Sequence, residues 1–177
     1  QNNTIMRPNK NKEANLSHFY LTSLCHYNKA NGNFTRLKKT NTKQKIGEEM
    51  GTLDKKSGYI RLKINGYTYL AHRLAYYYVN KIWPANLIDH IDGDKTNNIF
   101  NNLRDATYAQ NNTNSKPHRD SLTGIKGIWY SKARDKYIAE ICSNYKRIYI
   151  GSYDTIHEAK AAYNNMATKL QKQFARY

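Results

Sequence analysis

The sequence predicts an α+β protein in two parts, and three observations carry that expectation. Residues 59–64 alternate, with Tyr59, Arg61 and Lys63 set against Ile60, Leu62 and Ile64. They lead through Asn65-Gly66 into Tyr67 to Leu70, and from Ala71 the apolar period turns helical at Leu74, Ala75, Tyr78 and Val79. Asn-Gly supplies the positive φ angles of a tight primed turn, so this is a hairpin followed by a helix, which Pro84 closes. Second, Leu87 to Ile91 reads as a strand turned by Asp92-Gly93-Asp94, and Thr107 with Gln110 forms a capping box that starts a helix at Tyr108. Third, Ile125 to Tyr130, Tyr137 to Cys142 and Arg147 to Tyr153 alternate as three strands. A capping box at Thr155 and Glu158 then opens a helix striped by Ala159, Ala162, Tyr163, Met166, Ala167, Leu170 and Phe174, giving a small three-stranded antiparallel sheet packed on one helix.

The remaining segments set the boundaries. Ser17 caps a short helix through Leu16, Phe19, Tyr20, Leu21 and Leu24; Asn31-Gly32 breaks it before a strand from Phe34 to Leu37. Thr40 to Glu49 is polar and without period. Residues 1–15 read as a mobile basic arm with no apolar core, and hence as neither signal peptide nor membrane span. Ser115 to Thr123, broken by Pro117, reads as a linker. The expected parts are therefore 1–15, 16–116 and 122–177.

Charge decides the class of partner. There are 29 Lys plus Arg against 13 Asp plus Glu, a formal net charge of +16 spread along the chain, which attracts a polyanion. A membrane surface needs a long apolar run or a strongly amphipathic basic helix, and the chain has neither, so nucleic acid is the expected partner. Cys25 and Cys142 belong to no CxxC pair, so no structural zinc is expected and a reducing cytosolic or nuclear setting is the default.

The stretch from Leu87 to Asn114 carries the chemistry. Asp89 stands beside His90, Asn102 follows twelve residues later, and Asn111 nine after that. A hard oxygen ligand, a base that titrates near neutrality and a second ligand from another element are what metal-assisted phosphodiester cleavage requires. The acids at 89, 92 and 94 lack the spacing and terminal Glu of an EF-hand loop. Asp89-His90 also admits a bland reading, an ion-paired strand acid beside a satisfied histidine.

This stretch resembles the HNH nuclease family, in which an Asp-His pair on a hairpin strand is followed by a central Asn and then by a His or Asn on the next helix. The resemblance implies a ββα-metal module preceded by a hairpin and helix, with Asp89 and Asn111 binding a divalent metal, His90 acting as general base, and Asn102 bracing the hairpin. Asn111 stands where the more familiar residue is His; a neutral oxygen donor there favours Mg²⁺ or Mn²⁺ over zinc. His72, Arg73, Arg104 and Asn114 are possible supporting residues, with packing or capping the plainer role for His72.

The C-terminal part resembles the APETALA-type (ethylene-response-factor) DNA-binding domain. The echoes are Gly127, Ala139-Glu140-Ile141, the run Ile150 to Thr155 and the run His157 to Tyr163. That resemblance implies that Lys126, Trp129, Lys132, Arg134, Tyr137, Glu140, Lys146, Arg147 and Tyr149 contact double-stranded DNA. The combined order looks like phage and mobile-element HNH endonucleases of the homing type. Two rivals remain: a DNA-binding regulator with a vestigial nuclease unit, and an RNA-binding basic protein. Duplex nicking, and the relative affinity for duplex DNA and structured RNA, separate them.

Overall fold

A computed structural model describes residues 10–115, 117, 121–171 and 174. The chain forms two compact units, 1–105 and 106–177. The arm expected to be mobile lies at 1–9 outside the described residues, but Lys10–Ala14 is a short helix, α1. A buried ion pair fixes it: Arg73 Nε and NH2 donate to Glu13 Oε1 and Oε2 at 2.8 and 3.2 Å. The expectation of a mobile arm is therefore corrected for these residues.

In the first unit α2 (His18–Leu24) starts where Ser17 Oγ accepts from the Tyr20 amide at 3.2 Å. Leu16, Leu21 and Leu24 are buried, whereas Phe19, expected on the same apolar face, is 83% exposed. Strands β1 (Cys25–Tyr27), β2 (Phe34–Arg36) and β3 (Glu49–Met50) form one antiparallel sheet. Neither β1 nor β3 is long enough to show a period in the sequence.

A second sheet joins β4 (Thr52–Leu53), β5 (Ile60–Ile64) and β6 (Tyr67–Leu70). Ile64 pairs with Tyr67 around Asn65 (φ 48°) and Gly66 (φ 79°), the primed turn that Asn-Gly predicts. Helix α3 (Ala71–Asn80) ends earlier than Pro84 requires: Lys81 adopts the left-handed conformation (φ 61°) and its amide donates to Tyr77 O. Next come β7 (Leu87–His90), a 3₁₀ turn at Phe100–Asn102, and β8 (Leu103–Ala106), which pairs with β7. One apolar core, with Leu21, Phe34, Leu62, Leu74 and Ile88 among its members, lies beneath these elements.

The boundary between the units falls inside β8, well before the expected linker, so the second unit opens with α4 (Tyr108–Thr113). Residues 116 and 118–120 of that linker lie outside the described residues. Strands β9 (Ile128–Ser131), β10 (Lys136–Ser143) and β11 (Lys146–Tyr153) form an antiparallel meander on α5 (Ile156–Gln171). Ala159, Tyr163 and Ala167 face a core with Ile128, Ala139 and Ile141. Strand β9 starts later than expected because Gly127 has φ +72°, and a Cβ there would meet Glu140 O at 2.3 Å and the Tyr163 ring at 2.4 Å. Leu170, expected in the helix stripe, is 41% exposed; Gln171 is buried instead and donates to Cys142 O at 3.1 Å.

Candidate functional site

All four residues of β7 are buried, including Asp89 and His90. Buried charge requires a partner. On β8, Arg104 supplies it, with Nε and NH2 at 2.9 and 2.8 Å from Asp89 Oδ2. His90 Nε2 lies 3.3 Å from Asn98 Oδ1, while the Asn98 amide nitrogen donates to Thr96 O. The atom facing the imidazole is thus an acceptor, so Nε2 carries the proton and Nδ1 is the basic nitrogen. Burial lowers the His90 pKa, opposed by the Asn98 hydrogen bond and by Asp89, Asp92 and Asp94, which keeps the ring a base at neutral pH.

Two aromatic neighbours wall the imidazole. The His72 ring stands edge-on to it, with centroids 5.0 Å apart and planes at 87°, and Tyr59 lies 5.0 Å from His72 and 6.0 Å from His90. Lys95 Nζ sits 4.8 Å over the Tyr59 ring. His72 is buried, its Nδ1 has no hydrogen-bond partner among the described residues, and desolvation, then His90 and Arg73, push its pKa well down. It is therefore a neutral ring in contact with the candidate base.

Asn102 is a loop brace. Its Nδ2 donates to Asp92 Oδ1 (3.0 Å) and Asn97 O (2.9 Å), and its Oδ1 accepts from the Asp92 amide (3.1 Å). Arg73 is occupied elsewhere: besides Glu13, it donates to Asn86 O and Pro84 O, stapling the approach to β7. Asn98 is held in turn by Tyr27, whose hydroxyl donates to Asn98 O at 2.6 Å, and by Gly32 (φ +79°), where a Cβ would come within 2.5 Å of the Asn98 carbonyl carbon. Tyr59 and Asn98 escape sequence reasoning: Tyr59 looks like one position of an alternating strand, and Asn98 is one Asn in a run of them.

Asn111 and Asn114 belong to the second unit. The capping box forms as predicted, Thr107 Oγ1 accepting from the Gln110 amide and Gln110 Oε1 from the Thr107 amide. Asn111 is half-buried on α4, and Asn114 is buried at its C-cap.

The sheet of the second unit presents a candidate nucleic-acid face. Trp129 pairs with Ile138, Tyr149 with Glu140 and Arg147 with Cys142. Residues 138, 140 and 142 alternate onto one side of β10, so Trp129, Glu140, Arg147 and Tyr149 share the face opposite α5. Trp129 and Tyr149 are both about half exposed. Lys132 and Arg134 lie exposed in the turn between β9 and β10. Tyr137 falls on the other side and packs against the core, which corrects its expected place on the binding face; Lys146 alternates onto that same side. The Lys126 ammonium lies among backbone carbonyls at the end of α4.

Comparison with known proteins decides the family. A model described as HNH endonuclease matches residues 69–113, and a model of the AP2 domain matches residues 123–173. The chain is 32% identical over 90 residues to protein 3.8 of Escherichia phage T7, covering 51% of this chain and 74% of that protein. The chain belongs to the HNH endonuclease family. It is also 34% identical over 106 residues to an uncharacterized HNH endonuclease, L560, of Acanthamoeba polyphaga mimivirus; that match covers 59% of this chain and 54% of the relative. No solved structure matches the chain. The matched HNH span contains His72, Asp89, His90, Asn98, Asn102, Arg104 and Asn111 but leaves out Tyr27, Gly32 and Tyr59, which hold or wall the same site.

Proposed function

We propose that this HNH endonuclease hydrolyses phosphodiester bonds of double-stranded DNA at a chosen site, in the manner of a homing enzyme, with His90 as general base. The supporting observation is the state of His90: buried beside Asp89, held neutral, and with its proton fixed on Nε2 by Asn98. Nδ1 then accepts the proton of the attacking water. His72 and Tyr59 keep bulk water off the ring, and Asn102 keeps the loop after β7 in place.

Asp89 and Asn111 would hold a divalent metal. A carboxylate and an amide oxygen are hard donors suited to Mg²⁺ or Mn²⁺, and an ion on Asp89 would compete with the Arg104 guanidinium for Oδ2. Bound there, the ion would polarise the scissile phosphate and stabilise the leaving 3′ oxygen. The sheet face of Trp129, Glu140, Arg147 and Tyr149, with Lys132 and Arg134 at its rim, would grip the duplex through phosphate contacts and stacking.

The test is nicking of supercoiled plasmid by the full chain with Mg²⁺ or Mn²⁺, stopped by a chelator. Tight duplex binding without strand scission in either ion would replace this reading with that of a DNA-binding regulator.

A further inference from the structure

Lys126 precedes β9, at a position where the resemblance to plant DNA-binding domains implies a contact with DNA. The structure gives its ammonium another occupation. Nζ lies 2.8 Å from Asn112 O, 2.6 Å from Thr113 O, 3.2 Å from Ser115 O and 3.1 Å from Ser115 Oγ. An ammonium has three donors, and two of these acceptors are carbonyls of the last turn of α4, where a positive charge is favoured, while Ser115 supplies the others from just beyond the helix. Helix α4 is six residues long and would be marginal alone. It also packs against β10. By alternation Ile138 lies on the face of β10 opposite α5, yet it is only 1% exposed, so that side of the sheet is covered at this point.

We propose that Lys126 is a positioning residue for cleavage: it fixes the C-terminal end of α4, and with it Asn111, to the strand that opens the DNA-gripping sheet. The proposal rests on the reading of Asn111 as a metal ligand. Its consequence is that Asn111 is tied to the sheet of its own unit by a lysine that contributes little to DNA affinity.

The experiment uses the full chain and compares wild type, Lys126→Met and Lys126→Arg. Lys126→Met is expected to leave the duplex Kd within about twofold and the slope of log Kd against log salt unchanged, while single-turnover cleavage at saturating enzyme falls on the order of tenfold. Amides of α4 should exchange with solvent faster than in wild type. Lys126→Arg keeps a C-terminal cation and should recover part of both losses. A phosphate contact behaves oppositely: its loss weakens binding and flattens the slope by about 0.9. That result, with exchange at α4 unchanged, overturns the proposal. A wild-type chain that cuts no duplex defeats the nuclease reading by itself, and the exchange and salt-slope measurements still decide what Lys126 does.

Discussion

Strands β7 and β11 show two ways of carrying function. The four residues of β7 are all buried, and its two polar side chains are met there by Arg104 and Asn98. Strand β11 is mostly open: Lys146, Arg147 and Tyr149 are exposed, and only alternate positions touch the core. A buried polar pair is all or nothing, since removing one partner strands the other, whereas an exposed basic face sums small, screened contributions. The nuclease strand should therefore respond to single substitutions with large, specific losses. The sheet should respond with graded changes that salt can mimic.

The largest expected effect is at the base. His90→Ala should lower cleavage by about 10² to 10⁴ while duplex affinity stays, as for loss of a general base; steady cleavage measured by plasmid nicking would remove His90 from the mechanism. Next is the staple beneath β7. Glu13→Gln leaves the buried Arg73 guanidinium facing a neutral amide in place of a carboxylate, with one of its two acceptors replaced by an NH₂ donor, and should cost about 3 kcal/mol in chemical denaturation, at the low end for a broken buried pair. A cost near zero would show that Arg73 is hydrated in solution.

A smaller effect concerns pH. Folding holds His72 neutral with a pKa far below 6.5, so the unfolded chain binds the extra proton as pH falls. Stability from this group is complete above about pH 6.5 and declines below it, toward the lowered folded value. His72→Phe keeps a ring beside His90 and should flatten that acid decline in part, because the pKa of His90 is lowered as well; an unchanged pH profile of denaturation midpoints would count against it. The smallest effect is on the open strand. Arg147→Ala should weaken duplex binding modestly and reduce the salt slope by about 0.9, sparing turnover at saturating enzyme. Loss of turnover with the slope intact would move Arg147 out of the grip.

What was legible in the sequence follows the same division. The Asn65-Gly66 turn, both capping boxes and the order of three strands and one helix are local codes, and each is present, with β9 starting later than its alternation suggests. Asp89, His90 and Asn102 were legible as a spacing. Their partners were not: Asn98, Tyr59 and the ring contact of His72 depend on elements brought together from separate stretches of chain, which no local period announces. The core-facing side of Tyr137 is not legible, because membership of an alternating strand does not say which side meets the helix. Glu13 is silent in the sequence because a short polar segment betrays nothing of the buried arginine it meets.

Gly32 has a bearing on engineering. With the Asn98 carbonyl carbon 2.5 Å from where its Cβ would be, the β1–β2 turn acts as a mould against which the base-holding loop is cast. The HNH motif is therefore not a portable cassette. Residues 69–113 grafted onto another scaffold would carry Asp89 and His90 but neither the mould nor the Tyr27 hydroxyl that hangs Asn98 in place. A transplant that preserves the chemistry has to begin upstream of β1.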